Sequence, residues 1–311
     1  MIKLLNKKLK FTSNKYILVQ AVNGLAQVES YGDAGYIRYS NVPCEGECEY
    51  GYGSKKDAFE GVSIHRHSSS ENSKEYIPVC TATNLAVVVK SILSVYNKFN
   101  GSQLNMLMSF KGGYIDIIAF SSSMVAWARV ESDYQSGEDS IYRIDSDVLG
   151  LIPKTMRGPI QIFEGDSELV FRQENVSIHL HKGEWRPKID IYGLLIDGME
   201  GLKKTHPTVA FSGKPIKTDS YFVDMASLND GVIALDGEVE HVVETLRVQS
   251  FTRRVNSAIF AMFDNKTVNM WIKTNWPTLA YNGTVTLVGN LFEKDVDNSK
   301  PTHPLVRKNN E

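Results

Sequence analysis

Two cysteines and two histidines in one short part of the sequence have the side chains of a metal site. Cys44 and Cys48 are four residues apart in CEGEC, and His65 and His67 flank one residue in HRH. Two thiolates and two imidazoles would complete the tetrahedral ligand set that zinc prefers. A solvated loop with reduced thiols explains the same residues, and a second His-x-His pair occurs in HLH, 179–181. Zinc binding by these four residues is therefore a hypothesis.

Other motifs of enzymes are absent or incomplete in the sequence. GYGSKK, 51–56, lacks the spacing of a phosphate-binding loop, and no Gly-x-Ser-x-Gly nucleophile turn is present. Asp145 and Asp147 stand at a predicted helix start, where carboxylates commonly stabilise the helix dipole. The sequence therefore predicts a protein that is not an enzyme, with no cofactor other than the hypothetical zinc.

Basic residues are the second class of candidate. They cluster before, on or after predicted helices, and the set comprises Lys7, Lys8, Lys10, Lys90, Lys98, Lys154, Arg157, Arg253 and Arg254. Groups of this kind, presented together from several parts of a chain, can bind phosphates without reading bases. Basic residues on helix surfaces are also often only solvated, so both interpretations stay open.

The elements that would position these residues follow a recurring pattern. Segments 104–130, 159–183 and 256–275 each have a strand, a tight polar turn and a second strand with alternating apolar residues. This alternation is typical of half-buried antiparallel strands. The three segments therefore predict antiparallel meanders.

Helical periodicity occurs in four segments. The clearest is 83–99, where apolar residues recur at three- and four-residue intervals behind a possible N-cap at Thr81 or Thr83. A second helix is predicted over 237–251, and a short one over 146–158 with Ser146 as its cap. Segment 13–28 could be a fourth, although its β-branched residues favour a helix less.

Strand, helix and meander together form a unit that can be drawn four times, which indicates an α+β protein with duplicated units. The units start near Leu4, Tyr76, Ser140 and Ser220. We predict two domains, 1–135 and 136–292, followed by a flexible C-terminal tail over 293–311. The first half of the first domain, 1–75, is predicted to be irregular, with its turn-rich part over 29–75.

Composition limits the classes of protein that remain. The 311 residues are 42% hydrophobic and 23% charged, with a formal net charge of −2 and three cysteines. This balance argues against a protein that simply coats nucleic acid, although a local basic surface remains compatible with it. We read no export signal and no apolar run that could cross a membrane. The expected location is the cytoplasm, or the host cytoplasm for a viral protein.

The repeated unit resembles that of the DNA sliding clamps. The resemblance lies in ATNLAVVVKSIL…LNMLMSFKGGYIDIIAFSSSMVAWARV and YRIDSDVLGLIP…PIQIFEGDSELVFRQENVSIHL. It covers 76–180 and, less fully, 220–274. In that family the unit is duplicated within each domain, and domains join into a closed ring with a helical inner wall. Four units in one chain resemble the subunits of the proliferating-cell-nuclear-antigen and phage type, which assemble as trimers.

The resemblance implies a homotrimeric ring that encircles duplex DNA without sequence specificity and tethers a replicative polymerase as its processivity factor. Lys90, Lys98, Lys154 and Arg157 would then face the DNA, and a separate clamp loader would be a further partner. Two features depart from the family pattern: the acidic residues of segment 237–251 and the irregular region 29–75. The alternatives are a β-rich virion or tail protein and a zinc-binding module.

Overall fold

The computed structural model describes most of the chain. The described residues are 2–12, 16–60, 65–66, 75–99, 104–122, 124–135, 139–185, 196–212, 222–227, 233–235, 239–241, 244–248, 252–262, 267–272 and 277–289. The chain divides into two compact units. Unit 1 comprises 1–90, 107–115 and 130–184, and unit 2 comprises 91–106, 116–129 and 185–311.

Strands outnumber helices in the part of each unit that the structure describes. The strands are β1 (Lys3–Leu4), β2 (Tyr16–Val22), β3 (Leu25–Gly32), β4 (Gly35–Glu45), β5 (Cys48–Gly53), β6 (His65–Arg66), β7 (Ile77–Ala82), β8 (Asn105–Lys111), β9 (Tyr114–Phe120), β10 (Met124–Glu131), β11 (Ser140–Ile144), β12 (Ile160–Glu164), β13 (Glu168–Gln173), β14 (Val176–His181), β15 (Gly183–Glu184), β16 (Val209–Ser212), β17 (Phe222–Ser227), β18 (Ile233–Leu235), β19 (Val239–His241), β20 (Glu244–Val248), β21 (Thr252–Asn256), β22 (Thr267–Trp271), β23 (Thr278–Tyr281) and β24 (Val285–Gly289). The helices are α1 (Lys55–Glu60), α2 (Leu85–Tyr96), α3 (Ser146–Leu149), α4 (Ile152–Thr155) and α5 (Asp197–Lys203), and a 3₁₀ helix covers Ser257–Met262.

Unit 1 is built on an antiparallel sheet with the strand order β6–β5–β2–β3–β4–β14–β13–β12–β7, and β1 pairs with the end of β4. Side chains on successive strand residues point to opposite faces. One face is apolar and buried, and its residues include Ile17, Val19, Ala21, Ala26, Val28, Ile37, Leu169, Phe171, Ile178 and Leu180. This face is called the core face below.

The prediction of a helix over 13–28 is wrong, because β2 and β3 form a hairpin there. Asn23 and Gly24 make its turn with φ values of 53° and 77°, the backbone that an Asn-Gly pair favours. The β-branched residues pack on the pleated surface instead. The prediction of an irregular region over 29–75 is also wrong for 29–60, where β3, β4, β5 and α1 are regular.

Helix α2 and two of the three meanders are confirmed. Leu85, Val88, Val89 and Ile92 are buried along α2. The amides of Val87 and Val88 donate to the carbonyl of Asn84, so Asn84 is the residue that precedes the helix. The predicted N-caps are therefore wrong, because Thr81 lies in β7 and Thr83 stands one residue before Asn84. Strands β8–β10 and β12–β14 occupy the meanders predicted over 104–130 and 159–183.

Segment 146–158 forms two short helices, α3 and α4, rather than one. Asp145, and not Ser146, is the N-cap of α3: its carboxylate accepts hydrogen bonds from the amides of Asp147 and Val148 at 2.9 and 3.1 Å. The C-cap of α3 is Gly150, and Pro153 stands in the first turn of α4. Proline lacks an amide hydrogen and is tolerated only at a helix start, so it separates the two helices.

Unit 2 contains the strand order β10–β24–β23–β22–β16–β20 and a four-stranded sheet, β19–β18–β17–β21. Two predictions fail in this unit. Segment 237–251 contains β19 and β20 instead of a helix, and the first predicted strand of 256–275 is the 3₁₀ helix. The second predicted strand of that segment is confirmed as β22.

The predicted domain boundary at 135 and 136 stays a prediction, and unit 1 contains residues on both sides of it. The predicted tail over 293–311 lies outside the described residues. None of the helices that the structure describes is long and apolar enough to cross a membrane.

Candidate nucleic-acid interface

The N-terminal segment of unit 1 is held against the core face and leaves its lysines exposed. The Tyr39 hydroxyl donates to the carbonyl of Lys10 at 2.8 Å and accepts from its amide at 3.0 Å. Two residues on, the Thr12 amide donates to the Ser30 hydroxyl at 3.2 Å. Burial raises the pKa of Tyr39 to about 12, so its hydroxyl remains a donor. Lys7, Lys8 and Lys10 are exposed on this anchored segment.

Helix α1 packs beside the same segment and adds two lysines that the sequence analysis missed. The Phe59 and Phe11 rings meet edge to face at 5.9 Å, and the Lys55 ammonium lies 4.9 Å from the Phe11 ring centre. This distance is within the range of a cation–π contact. Lys55 and Lys56 are both exposed.

A capping motif in the sequence marks the start of α1 and could have revealed it. The Asp57 carboxylate accepts from the Ser54 amide and hydroxyl at 2.9 and 2.8 Å, and the Asp57 amide donates back to the Ser54 hydroxyl at 3.2 Å. This is the reciprocal pattern of a capping box. GYGSKK is therefore the end of β5 and the start of a short helix.

Lys154 is exposed, but the other charged residues that line its cavity are acidic. The cavity has a volume of about 450 Å³ and lies between the β3–β4 turn and helices α3 and α4. Asp33, Asp145 and Asp147 line it together with Lys154 and Phe11. Three carboxylates beside one ammonium group weaken the attraction of this part of the surface for phosphates.

Arg157 bonds to its own helix end. Its guanidinium donates to the carbonyls of Pro153 and Met156, the latter at 2.7 Å. Last-turn carbonyls of a helix carry partial negative charge, which a guanidinium there offsets. Arg157 thus remains exposed, but its hydrogen-bond donors are partly used.

The other predicted basic residues fall into two groups. Lys90 is exposed on α2 and Lys98 is exposed just beyond its end. Arg253 and Arg254 lie in strand β21, where they pair with Met225 and Asp224, and not behind a helix as predicted.

The structure does not bring the four residues of the zinc hypothesis together where it describes them. Cys44 is buried in β4, and burial raises the pKa of its thiol. Cys48 pairs with Ala21, whereas His65 pairs with Tyr52, four residues farther along β5 and roughly 13 Å away. His67 lies outside the described residues. Among the residues described, no three His, Cys, Asp or Glu side chains are grouped to hold a metal, and the zinc site stays a prediction.

A buried polar network occupies the opposite face of the same sheet. His179 Nδ1 lies 3.3 Å from the Glu168 carboxylate, and its Nε2 lies 3.0 Å from the Ser177 hydroxyl. The Tyr36 ring stacks on the imidazole at 4.1 Å, and the Tyr76 hydroxyl donates to Glu168 at 2.9 Å. Ser, His and Glu in this order resemble a nucleophilic triad.

Burial argues against a catalytic role for that network. The side chains of His179 and Glu168 are only 1% and 2% exposed, so a substrate carbonyl cannot approach the imidazole from solvent. Hydrogen bonding of this kind satisfies buried polar groups and fixes the packing of the strands. The exposed lysines on the core-face side are therefore the better functional candidates.

Comparisons with known proteins identify the fold. No family model and no curated protein matches the sequence. The solved sliding clamp from Bacillus subtilis matches with a TM-score of 0.63 and 9% identity, over 90% of this chain and 91% of that one. The polymerase III beta subunit from Pseudomonas aeruginosa gives 0.62 and 10%, over 89% and 92%. The Helicobacter pylori beta clamp bound to a DNA ligase peptide gives 0.61 and 11%, over 93% and 95%.

These comparisons confirm the predicted fold class, α+β with duplicated clamp-like units. The three relatives are bacterial clamps, whereas the sequence pattern was similar to the proliferating-cell-nuclear-antigen and phage type. At sequence identities near 10%, structural similarity shows the fold, and function must be argued from the residues of this chain. The chain has the fold of the DNA sliding clamps.

Proposed function

We propose that this protein is a DNA sliding clamp, which encircles duplex DNA and tethers a replicative polymerase as a processivity factor. The observation that carries the proposal is a clamp fold in which exposed lysines stand on the N-terminal segment that is held against the core face of unit 1, and on the helix α1 that packs beside this segment. The role is topological and requires no catalytic residue. A phage or viral origin is part of the sequence-based expectation and is not needed for the proposal.

The contacts with DNA are expected to be weak and mobile. Exposed ammonium groups attract phosphates without reading bases, and salt at physiological strength screens them beyond about 8 Å. Such contacts can be exchanged from one phosphate to the next, so the protein can slide. The net charge of −2 limits attraction to the places where lysines are concentrated.

The proposed partners are a replicative polymerase and a clamp loader. The Helicobacter pylori clamp, which has the same fold, was solved with a peptide of DNA ligase. By analogy, a partner protein of this chain would dock a short peptide segment. The assembly would be a closed homo-oligomer, for which the sequence-based expectation is three copies.

Two measurements test the proposal together. The mass of the native assembly should correspond to a closed oligomer, and the protein should lengthen the products of a replicative polymerase on a primed circular template in the presence of a loader. Linearising the template should abolish the effect, because a ring slides off free ends. A strict monomer at high concentration that leaves product length unchanged contradicts the proposal, and sedimentation with virus particles would favour the structural alternative.

A further inference from the structure

We propose that Lys55 and Lys56 of α1 form one phosphate-binding surface with Lys7, Lys8 and Lys10, an assignment that rests on the proposed clamp function. These five residues are called the N-terminal lysine cluster below. The surface would take the phosphate backbone of duplex DNA and would be built from an extended segment and a helix of only six residues.

Packing holds the two parts of the cluster together. Ala58 is fully buried, and Phe59 contacts Phe11 edge to face at 5.9 Å, so α1 is fixed against the N-terminal segment. Lys10 immediately precedes Phe11, and the Lys55 ammonium lies 4.9 Å from the Phe11 ring. Since the Tyr39 hydroxyl bonds both backbone groups of Lys10, the lysines extend from an anchored backbone.

The acidic residues in these two segments are already engaged. Asp57 accepts both hydrogen bonds of the Ser54 cap. Glu60 lies 3.9 Å from Lys56, and both side chains are more than half exposed, so water and salt screen this pair strongly. Segments 5–12 and 54–60 together carry a formal net charge of +3. The cavity that Lys154 shares with three aspartates is also lined by Phe11 and Thr12, so its carboxylates reduce the attraction for phosphates next to the cluster as well.

The exposure of the five lysine side chains also supports a role in binding and not in packing. All five lysines are exposed. Lys8 lies in a turn, where its backbone amide donates to the side-chain oxygen of Asn6 at 3.1 Å. Replacing Lys56 by glutamine leaves the contact between Phe11 and Phe59 and the burial of Ala58 intact, whereas replacing Lys55 also removes its ammonium group from the Phe11 ring, so the unfolding midpoints of the variants are compared. Changes in DNA binding can therefore be separated from changes in folding.

The test compares two double variants in their affinity for a linear DNA duplex of about 30 base pairs over a range of salt concentrations. K55Q/K56Q removes the two charges of α1. K3Q/K111Q is the matched control, since it removes two exposed lysines of unit 1 that pair elsewhere, with Glu45 and Asp139. Each lost phosphate contact lowers the slope of log K against log salt by about 0.9. We expect the slope to fall by about 2 in K55Q/K56Q and to be unchanged in the control.

The outcomes separate this inference from the proposed function. If the natural protein binds the duplex with a steep salt slope and K55Q/K56Q behaves like the control, the assignment of Lys55 and Lys56 is wrong and the clamp function stands. If the natural protein shows no salt-dependent binding and does not lengthen polymerase products, the proposed function fails and the inference with it. Equal thermal unfolding midpoints of the variants would exclude misfolding as the cause.

Discussion

At the scale of single residues, His179 is a titratable group whose side chain is only 1% exposed. Burial lowers its pKa below the usual 6.5, and the hydrogen bond to Glu168 opposes this only in part. The neutral ring can donate from Nδ1 to Glu168 and accept at Nε2 from Ser177. The folded protein therefore favours the uncharged imidazole at neutral pH.

This shift predicts how stability depends on pH. His179 is protonated at a higher pH in the unfolded chain than in the folded chain. The contribution of His179 to the free energy of unfolding is therefore complete above pH 6.5 and is lost as pH falls through the folded pKa. The loss is at most about 1.4 kcal/mol per pH unit for one proton. Urea unfolding between pH 7.5 and 5.5 should show this slope in the natural protein and a smaller one in His179→Gln.

His181→Gln is the matched control for that series. His181 lies two residues farther along the same strand and is exposed, so its replacement should leave the slope unchanged. A slope that is the same in His179→Gln and in the natural protein would assign the pH dependence to other groups.

The four-residue zinc hypothesis also belongs to the residue scale. We expect purified protein to contain less than one equivalent of zinc, because the register separates Cys48 from His65 by four residues of β5. Zinc ligands lie about 2.0–2.3 Å from the ion, which a separation of roughly 13 Å does not permit. Elemental analysis measures the content. A stoichiometric zinc that disappears in Cys44→Ser would overturn this expectation.

At the scale of elements, sequence periodicity identified α2 and two meanders because apolar residues there match only one template. The predictions of helices over 13–28 and 237–251 were wrong for a different reason. Both are rich in valine and other β-branched residues, and a short apolar run fits a helix and a strand equally well. In 13–28 the Asn23-Gly24 turn was a local hairpin signal that the helical pattern obscured. In 237–251 the pairing of β20 with the distant strand β16 decided the outcome, and no local pattern contains that information.

Helix α5 is held to its sheet by a compact set of polar contacts in unit 2. The Glu200 carboxylate accepts from Trp127 Nε1 at 2.8 Å and lies 2.6 Å from the Lys203 ammonium. Lys203 also donates to the Thr286 hydroxyl at 3.0 Å and lies 4.3 Å from the ring centre of Tyr281. Its side chain is only 15% exposed, so these partners take the place of water around its ammonium group.

Lys203→Met should therefore destabilise the protein. The change keeps most of the side-chain volume but leaves the Glu200 carboxylate with one fewer donor and Thr286 with one fewer partner. Loss of hydrogen bonds to a charged group costs about 1–3 kcal/mol, which chemical unfolding can measure. Lys204→Met, at the exposed neighbouring position, should change the unfolding free energy by less than about 0.5 kcal/mol. Similar losses in the two variants would argue against the role of these contacts.

At the scale of the whole molecule, the predicted basic residues differ in the charges that surround them, and this affects how strongly each would attract phosphates. The sequence identified Lys7, Lys8 and Lys10 but missed Lys55 and Lys56, because only the packing of Phe59 on Phe11 brings them to the same surface. It could not foresee that Asp33 lies beside Lys154 either, since Asp33 is more than 100 residues away from α3 in the sequence. Composition gave the total charge, and the fold alone gave its arrangement.

The acidic cavity should limit DNA affinity, and Asp147→Asn tests this. Asp147 is exposed at the start of α3, so removing its charge reduces the repulsion of phosphates near Lys154. We expect binding to a DNA duplex at low salt to become tighter. A carboxylate in a first helical turn stabilises the helix dipole by about 0.3–1 kcal/mol, so stability should fall slightly at the same time.

Opposite changes in affinity and stability distinguish this effect from general loosening of the fold. Glu174→Gln is a suitable control, because it removes one exposed negative charge from the β13–β14 turn of the same unit. Equal gains in affinity in the two variants would show that only net charge matters. A gain confined to Asp147→Asn would place the phosphates beside α3, on the surface that the proposed clamp turns toward DNA.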